Sequence, residues 1–227
     1  PAIGNFDSDI DLEVVFGGYA NNNQIYAINA DGSIVEGFPF DIGDKTKAGA
    51  ALHDFNGNGI DDIVIGTDNN KIYLIYDNGD IASGFPFSAQ NKIQTSPSIY
   101  MFGENPVIFF GSNDNNFYAL DSQGILIDGF PIKTGGKVQT SPSFLDYDGE
   151  VYTFFGSDDD KVYAVNTIDG STLDGWPQNV IGNVVGSIVF ADLDGDNKPE
   201  IISLTDKGYI FIHYFNGDNY IYSPLEN

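Results

Sequence analysis

Hydrophobic positions along the chain fall in short runs separated by turns rich in Gly, Asn and Asp. Some runs are continuously apolar, as at 63–65, and others alternate in character, as in K-I-Y-L-I-Y at 71–76. Runs of this length bounded by turn residues are typical of β-strands, and no segment shows the 3.6-residue period of an amphipathic helix. The pattern predicts an all-β chain of antiparallel strands joined by tight turns.

Two landmarks recur along the chain at nearly constant spacing, which indicates an internal repeat of about 45 residues. The first is an aromatic-Pro pair preceded by Gly, found at Phe38-Pro39, Phe85-Pro86, Phe130-Pro131 and Trp176-Pro177. The second is an apolar triplet that ends at Gly17, Gly66, Gly111 and Gly156, with Leu204 in the fifth place. Only the second landmark reaches the last unit. The chain therefore divides into five units: 1–47, 48–95, 96–140, 141–185 and 186–227.

Each unit contains the pattern of four antiparallel strands, and four-stranded units of this length are the size of propeller blades. We predict a single all-β propeller domain over 1–227 with five visible blades. The five blades either close on themselves or form part of a larger propeller. The small residues of each first strand are expected to line a crowded central channel. The aromatic residue before each Pro is expected to pack between neighbouring blades.

The loop between the first two strands of the fifth unit reads D-L-D-G-D-N-K-P-E and crowds four carboxylates into a short segment. These charges repel one another at neutral pH, and Ca²⁺ removes the repulsion because it accepts six to eight oxygen ligands in a flexible geometry. Gly195 allows the tight turn that brings the oxygens together. The predicted ligands are the side chains of Asp192, Asp194, Asp196 and Glu200 and the backbone carbonyl of Lys198.

The same loop recurs in the first two units. The predicted ligands of the first loop are Asn5, Asp7, Asp9, Asp11 and Glu13, and those of the second are Asp54, Asn56, Asn58, Ile60 (through its carbonyl) and Asp62. The second loop has only two carboxylates at ligand positions, so we expect it to bind calcium most weakly. Units three and four have short loops without the full ligand set, and no calcium is expected there. An EF-hand would need flanking helices and Glu at position 12, which the pattern lacks.

The charge balance limits the classes of partner. The formal net charge is -24, with nine basic residues against 33 acidic ones. Such a surface repels nucleic acid and anionic lipid and attracts cations. All nine basic residues are Lys, and there is no Cys, which excludes disulfides and thiolate metal sites. No apolar run is long enough to insert into a membrane, and no signal peptide is visible. Dependence on calcium favours a secreted or cell-surface protein. The start at Pro1 indicates processing or an excerpt.

These motifs resemble those of FG-GAP and VCBS-type β-propeller repeats, the group that includes the integrin α-subunit head. The repeats of this family carry four motifs. The first, S-P-x-φ-x-D-x-D-G-D (φ is an apolar residue), corresponds to G-S-I-V-F-A-D-L-D-G-D at 186–196. The other three, φ-φ-x-G, V-Y-A-x-x-x-x-G and G-F-P, correspond to I-V-I-G at 63–66, V-Y-A-V-N-T-I-D-G at 162–170 and G-F-P at 37–39. The S-P opening of the first motif is kept only at Ser96-Pro97 and Ser141-Pro142. The resemblance covers essentially the whole chain and implies calcium loops at the positions above. It implies little about activity, because one fold hosts many functions.

The favoured function is a non-enzymatic binding or adhesion module for a protein or a glycan. The alternatives are the propeller of a carbohydrate-active enzyme and a self-assembling structural subunit of a surface assembly. His53 and His213 are expected to be structural, since no Ser-His-Asp arrangement or phosphate-binding Gly loop is recognisable. Eight of the nine Lys fall in the blade connections and second-to-third turns. That mixed-charge face is the candidate for partner contact, and the alternative is a solvated rim of ordinary turn residues.

Overall fold

The structure, a computed structural model, describes residues 1–222 apart from Ser8 and Asn21. These residues form twenty strands and no helix. Among them there is consequently no helix long and apolar enough to cross a membrane. The strands form five four-stranded antiparallel sheets, and within every sheet the strands lie side by side in chain order. The prediction of an all-β chain with five four-stranded units is confirmed.

The first two sheets occupy the first two predicted units. The first sheet contains β1 (Ala2–Gly4), β2 (Glu13–Gly17), β3 (Gln24–Ile28) and β4 (Phe40–Asp41). The second contains β5 (Ala51–His53), β6 (Asp62–Gly66), β7 (Lys71–Ile75) and β8 (Phe87–Ser88). In both, the long connection between the first two strands carries the acidic residues, so the predicted calcium loops project from one end of each sheet.

The remaining three sheets repeat this order. The third contains β9 (Ser98–Phe102), β10 (Asn105–Gly111), β11 (Asn116–Leu120) and β12 (Ile132–Lys133). The fourth contains β13 (Ser143–Tyr147), β14 (Glu150–Ser157), β15 (Lys161–Asn166) and β16 (Gln178–Asn179). The fifth contains β17 (Val184–Ala191), β18 (Glu200–Thr205), β19 (Ile210–His213) and β20 (Asn219–Tyr222). The fifth sheet thus begins two residues before the predicted boundary. A register shift between Val185 and Val189 lets β17 continue through Gly186, whose φ is +73°.

The hydrophobic core lies between neighbouring sheets, because alternate residues of a strand point to opposite faces. In β6, Ile63 and Ile65 pack against the first sheet, whereas Val64 packs against the third. Four such clusters join sheets one to two, two to three, three to four and four to five. The five sheets are therefore stacked face to face in chain order.

The aromatic-Pro landmark belongs to these clusters. Phe38, Phe85, Phe130 and Trp176 each pack in the cluster between their own sheet and the next one. This confirms the prediction that they pack between blades. All four aromatic-Pro peptide bonds are cis.

The Gly of the second landmark makes room for the connection to the next sheet. A Cβ atom on Gly111 would lie 2.6 Å from the backbone oxygen of Val138, and one on Gly66 would lie 2.9 Å from that of Ile93. Both distances are too short for a carbon atom, so only Gly allows the chain to pass so closely. Leu204 replaces this Gly in the fifth sheet, where its side chain is 47% exposed.

The outer faces of the first and fifth sheets are apolar and open. On the first sheet, Ile3 is 67% exposed and Val14 is 39% exposed, although Ile63 and Ile108 at the position of Val14 are fully buried. On the fifth sheet, Val189 is 55% exposed. Among the described residues, no core cluster joins the first sheet to the fifth.

Candidate metal centres

Each predicted calcium loop ends at a buried acidic residue that opens the second strand of its sheet. Glu13, Asp62 and Glu200 are 0%, 0% and 2% exposed. Each is paired across the sheet with the end of the first strand, at Gly4, His53 and Ala191 respectively. Strand pairing therefore holds the closing carboxylate of each loop in a fixed and water-poor position.

The loop of the fifth sheet brings three carboxylates together. Oxygen atoms of Asp192, Asp194 and Glu200 all lie within 4.8 Å of one another. The Glu200 Oε2 atom accepts a hydrogen bond from the Leu193 backbone N–H at 2.7 Å. The other oxygen, Oε1, is buried and has no hydrogen-bond partner. An unpartnered buried carboxylate oxygen is costly, so this position favours a bound cation.

The loop of the first sheet has the same arrangement. Oxygen atoms of Asp7, Asp9 and Glu13 lie within 4.8 Å of one another. Glu13 Oε2 accepts a hydrogen bond from the Phe6 backbone N–H at 2.7 Å, and Glu13 Oε1 is buried without a partner. Burial raises the pKa of Glu13, and repulsion from Asp7, Asp9 and Asp11 raises it further, whereas the Phe6 N–H lowers it. A dication would relieve both the burial cost and the repulsion.

These two sites fit a hard cation such as Ca²⁺. Their closely spaced donors are all carboxylate oxygens, which Ca²⁺ prefers. The buried Glu oxygen without a hydrogen-bond partner in each site is a second observation that would suit a bound cation. The two triads, Asp7-Asp9-Glu13 and Asp192-Asp194-Glu200, are predicted ligands that the fold brings together.

The other predicted ligands of these two loops lie beside the triads and organise the backbone. Asn5 Nδ2 donates to the Asp9 backbone oxygen at 3.3 Å, and the Asp11 N–H donates to Asp9 Oδ1 at 2.8 Å. The Asp196 N–H donates to Asp194 Oδ1 at 3.1 Å. The Lys198 N–H donates to Asp196 Oδ1 at 2.8 Å, and its ammonium group lies 3.5 Å from Asp196 Oδ2. These contacts shape the loops around the triads.

The loop of the second sheet is held by its own hydrogen bonds. The Asp54 carboxylate accepts backbone N–H bonds at 2.7, 3.1 and 2.7 Å from Gly57, Asn58 and Gly59. Burial opposes its ionisation, but these bonds give a net lowering of its pKa. Asp62 accepts the Phe55 and Asp77 N–H groups at 2.8 and 3.1 Å, and burial raises its pKa to about 6.

The amides of this second loop are used in the same way. Asn56 Nδ2 is 3.4 Å from Asp62 Oδ1, Asn58 Nδ2 donates to Asp77 Oδ1 at 3.0 Å, and the Ile60 N–H donates to Asn58 Oδ1 at 2.8 Å. The polar side chains of this loop therefore form hydrogen bonds with one another, with the loop backbone and with Asp77. Calcium binding by Asp54, Asn56, Asn58, Ile60 and Asp62 stays a prediction.

Two acidic residues that contact these loops, Asp61 and Asp77, were not predicted from the sequence. Asp77 lies in the turn after β7 and closes the second loop through the contacts above. Asp61 Oδ2 accepts the Asn5 N–H at 3.0 Å, and the Asp61 N–H donates to the Asn5 oxygen at 2.8 Å, which ties the first loop to the second. No spacing rule could have found them, because both contacts depend on how the sheets pack.

The third and fourth sheets have two-residue turns at the corresponding position. Phe102 pairs with Asn105 across Gly103–Glu104, and Tyr147 pairs with Glu150 across Asp148–Gly149. Asp148 and Gly149 both have positive φ, at 55° and 80°. This geometry fits a tight hairpin turn of the primed class.

The opposite end of the sheets carries eight of the nine lysines. Lys92 Nζ lies 3.0 Å from Asp68 Oδ2, and Gln94 Nε2 donates to Asp68 Oδ1 at 2.6 Å. Gln139 Nε2 in turn donates to Asn113 Oδ1 at 2.9 Å. These contacts tie the connections between sheets to the second-to-third turns. Lys92 and Asp68 are thus paired within the fold. Contact of this mixed-charge face with partners stays a prediction.

His213 occupies a buried structural position. It is fully buried, its Nε2 atom lies 3.2 Å from Ser203 Oγ, and its ring packs near Trp176 and Phe211. Burial lowers its pKa from 6.5 to about 4. The unfolded chain therefore binds more protons than the folded chain between these two values, and stability falls as the pH drops through this window.

This shift gives a pH-dependent prediction. Lowering the pH from about 7 to about 5 should destabilise the protein relative to a His213→Phe variant by about 2 kcal/mol. Urea unfolding of both proteins at the two pH values measures the difference. Equal pH dependence in the two proteins would contradict the buried neutral histidine, and comparison against the variant cancels the titration of all other groups.

Comparison with known proteins supports the architecture. The sequence matches no protein-family model and no curated protein sequence. Among solved structures, BamB from Moraxella catarrhalis is similar with a TM-score of 0.70 and 14% identity, over 94% of this chain and 61% of that chain. The V. cholerae biofilm matrix protein Bap1 has a TM-score of 0.71 and 20% identity, over 98% of this chain and 37% of that chain.

A computationally designed protein, Ika8, is also similar, with a TM-score of 0.64 and 16% identity over 97% of this chain and 61% of that chain. BamB and Bap1 are β-propellers, and identities this low show the fold alone. The five sheets therefore have a propeller-like arrangement. The chain spans less than two thirds of the length of each of these three structures.

Proposed function

We propose that this chain is a calcium-stabilised β-propeller that acts outside the cell as a non-enzymatic binding module for a protein or a glycan. The observation that carries the proposal is the pair of carboxylate triads, each with an orphaned buried oxygen at Glu13 or Glu200. We infer that a Ca²⁺ ion in each triad pins a loop that charge repulsion would otherwise open.

The proposed extracellular location rests on the calcium affinity that is typical of such sites. Extracellular calcium modules typically bind in the range of about 10⁻⁴ to 10⁻³ M, which matches calcium-rich extracellular fluid and exceeds resting cytosolic levels. The description of one similar structure, Bap1, as a biofilm matrix protein agrees with an extracellular role. We propose the same extracellular location for this chain. We also propose that its five units are repeats of the FG-GAP and VCBS type.

We further propose that the ring is larger than five blades. The apolar outer faces at Val14 and Val189 resemble the faces that are buried between the inner sheets, so each is suited to a further blade. Two similar structures, BamB and Ika8, extend well beyond the region that matches this chain, since the match covers 61% of each. A further blade would bury these valines as the inner interfaces bury theirs.

The binding role is tested by presenting the immobilised chain with a glycan array and with extracellular matrix proteins, in calcium and in chelator. We expect retention of at least one partner in calcium, its release by chelator, and no release of sugar products. Product formation from a polysaccharide would contradict the non-enzymatic role and favour a carbohydrate-active enzyme.

A further inference from the structure

A recess between the fourth and fifth sheets carries aromatic rings and carboxylates on the same side as the calcium loops. Tyr147 and Glu150 are partners across the β13–β14 turn, and Tyr152 follows two residues later on the same side of the sheet. Phe215, from the turn after β19, lies 4.4 Å from the Tyr147 ring and 5.1 Å from the Tyr152 ring, measured between centroids. Together with Asp148 these residues line a cavity of about 220 Å³.

The recess is acidic as well as aromatic. Asp148 and Glu150 are exposed at its rim, and Tyr152 Oη donates to Glu150 Oε2 at 2.6 Å. This hydrogen bond, with burial and the charges of Glu150 and Asp148, raises the pKa of Tyr152 to about 12. Tyr152 therefore stays protonated and holds the Glu150 carboxylate in place beside the rings.

A ring face and a carboxylate attract the same kind of ligand. Both interact favourably with a cation, and their effects reinforce one another when the cation is partly removed from water. Lys198 of the adjoining loop lines a neighbouring cavity with Tyr147 and Phe215, and its ammonium group lies 3.5 Å from Asp196 Oδ2. With a net charge of -24, the chain also raises the local concentration of cationic partners and repels anionic ones.

We propose that Tyr147, Glu150, Tyr152 and Phe215 form a cage for the protonated side chain of a lysine on a basic segment of a partner protein. This deepens the proposed binding function and rests on it. Charge complementarity selects the occupant, because an anionic glycan would meet two carboxylates and a neutral one would use the ring faces alone. The third sheet provides an internal comparison, since the position of Glu150 there is occupied by Asn105.

The test is an NMR titration of the chain, in calcium, with the peptide acetyl-Gly-Gly-Lys-Lys-Gly-Gly-amide. We expect saturable shifts of Tyr147 and Tyr152 resonances, and a loss of affinity of about tenfold in Glu150→Gln and in Tyr147→Ala. Glu104→Gln is the matched control, because it removes one charge from the equivalent turn of the third sheet and should change the affinity less than about twofold. Thermal unfolding confirms that each variant is folded.

Two further ligands test whether the bound cation is a lysine side chain or the amino group of a sugar. The same peptide with acetylated lysines should not bind, because acetylation removes the charge. Tighter binding of a glucosamine hexamer than of the lysine peptide would overturn the assignment to a protein partner. Equal affinity of the parent chain and the Glu150→Gln variant, or no binding of the lysine peptide at all, would overturn the cage itself. Calcium affinity, measured on the same samples, should be unchanged in these variants, so failure of the cage is distinguishable from failure of the proposed calcium-dependent function.

Discussion

Removal of calcium should lower the melting temperature of this protein by about 10 to 20 °C. A site at a hundredfold excess of calcium over its Kd stabilises the folded state by about 2.7 kcal/mol. In a chain of this size each kcal/mol corresponds to about 2 to 4 °C. Two occupied triads therefore account for a shift of this order. Differential scanning calorimetry in saturating calcium and in excess chelator measures it.

Variants of the closing glutamates make this prediction specific. Glu13→Gln and Glu200→Gln should each lose about half of the calcium-dependent shift. In chelator, both variants should be as stable as the parent chain or more stable, because each replaces a buried charge whose Oε1 atom has no partner. Glu104→Gln, in the exposed turn between β9 and β10, is the control and should retain the full shift. Identical melting curves of the parent chain in calcium and in chelator would contradict the stabilising role.

Truncation of Phe155 should destabilise the fold by about 3 to 5 kcal/mol. Its ring stacks on Phe117 with centroids 4.0 Å apart, and both side chains are fully buried between the third and fourth sheets. Phe155→Ala removes this contact and leaves a cavity between the third and fourth sheets, which pack face to face and cannot close it. Urea unfolding of Phe155→Ala against the parent chain measures the loss.

Phe16→Ala is the matched control, because Phe16 occupies the same strand position in the first sheet, one residue before the landmark Gly. Phe16 stacks on Tyr26 within its own sheet, as Phe155 stacks on Tyr163. Among the described residues, however, no core cluster covers the outer side of Phe16. We expect its truncation in this chain to cost about 1 kcal/mol. A cost equal to that of Phe155→Ala would show that the first and fifth sheets cover one another in a closed five-bladed ring, against the proposed larger ring.

Much of the fold could be predicted from the sequence because the same local signals repeat. The aromatic-Pro pairs and the apolar triplets indicate the unit length. The structure places the aromatic residues between neighbouring sheets, as predicted, and the triplets also pack there. The start of the fifth sheet at Val184 could not be placed, since a register shift lets β17 run past the boundary that the repeat indicates. Closure of the ring could not be predicted either, because it depends on how two distant faces meet.

The candidate sites show where the spacing of acidic residues is informative and where it is not. The alternating positions predict that Asp7, Asp9 and Glu13 lie together, and the structure places their carboxylates close to one another because the loop ends at the buried start of the next strand. The same spacing in the second loop places Asn at two ligand positions, and Asp54 and Asp62 there accept backbone N–H groups. Calcium binding by that loop stays a prediction. The roles of Asp61 and Asp77 come from tertiary packing, which residue spacing does not encode.

The most direct measurement is a calorimetric titration of the chelator-stripped chain with calcium chloride. We predict saturable binding at two sites or more with Kd values of about 10⁻³ M or tighter. We also expect the Glu13→Gln variant to lose one calcium site and the Glu200→Gln variant to lose another. A titration that shows no saturable binding, or binding that neither glutamate variant changes, would contradict the claim that these buried carboxylates hold calcium.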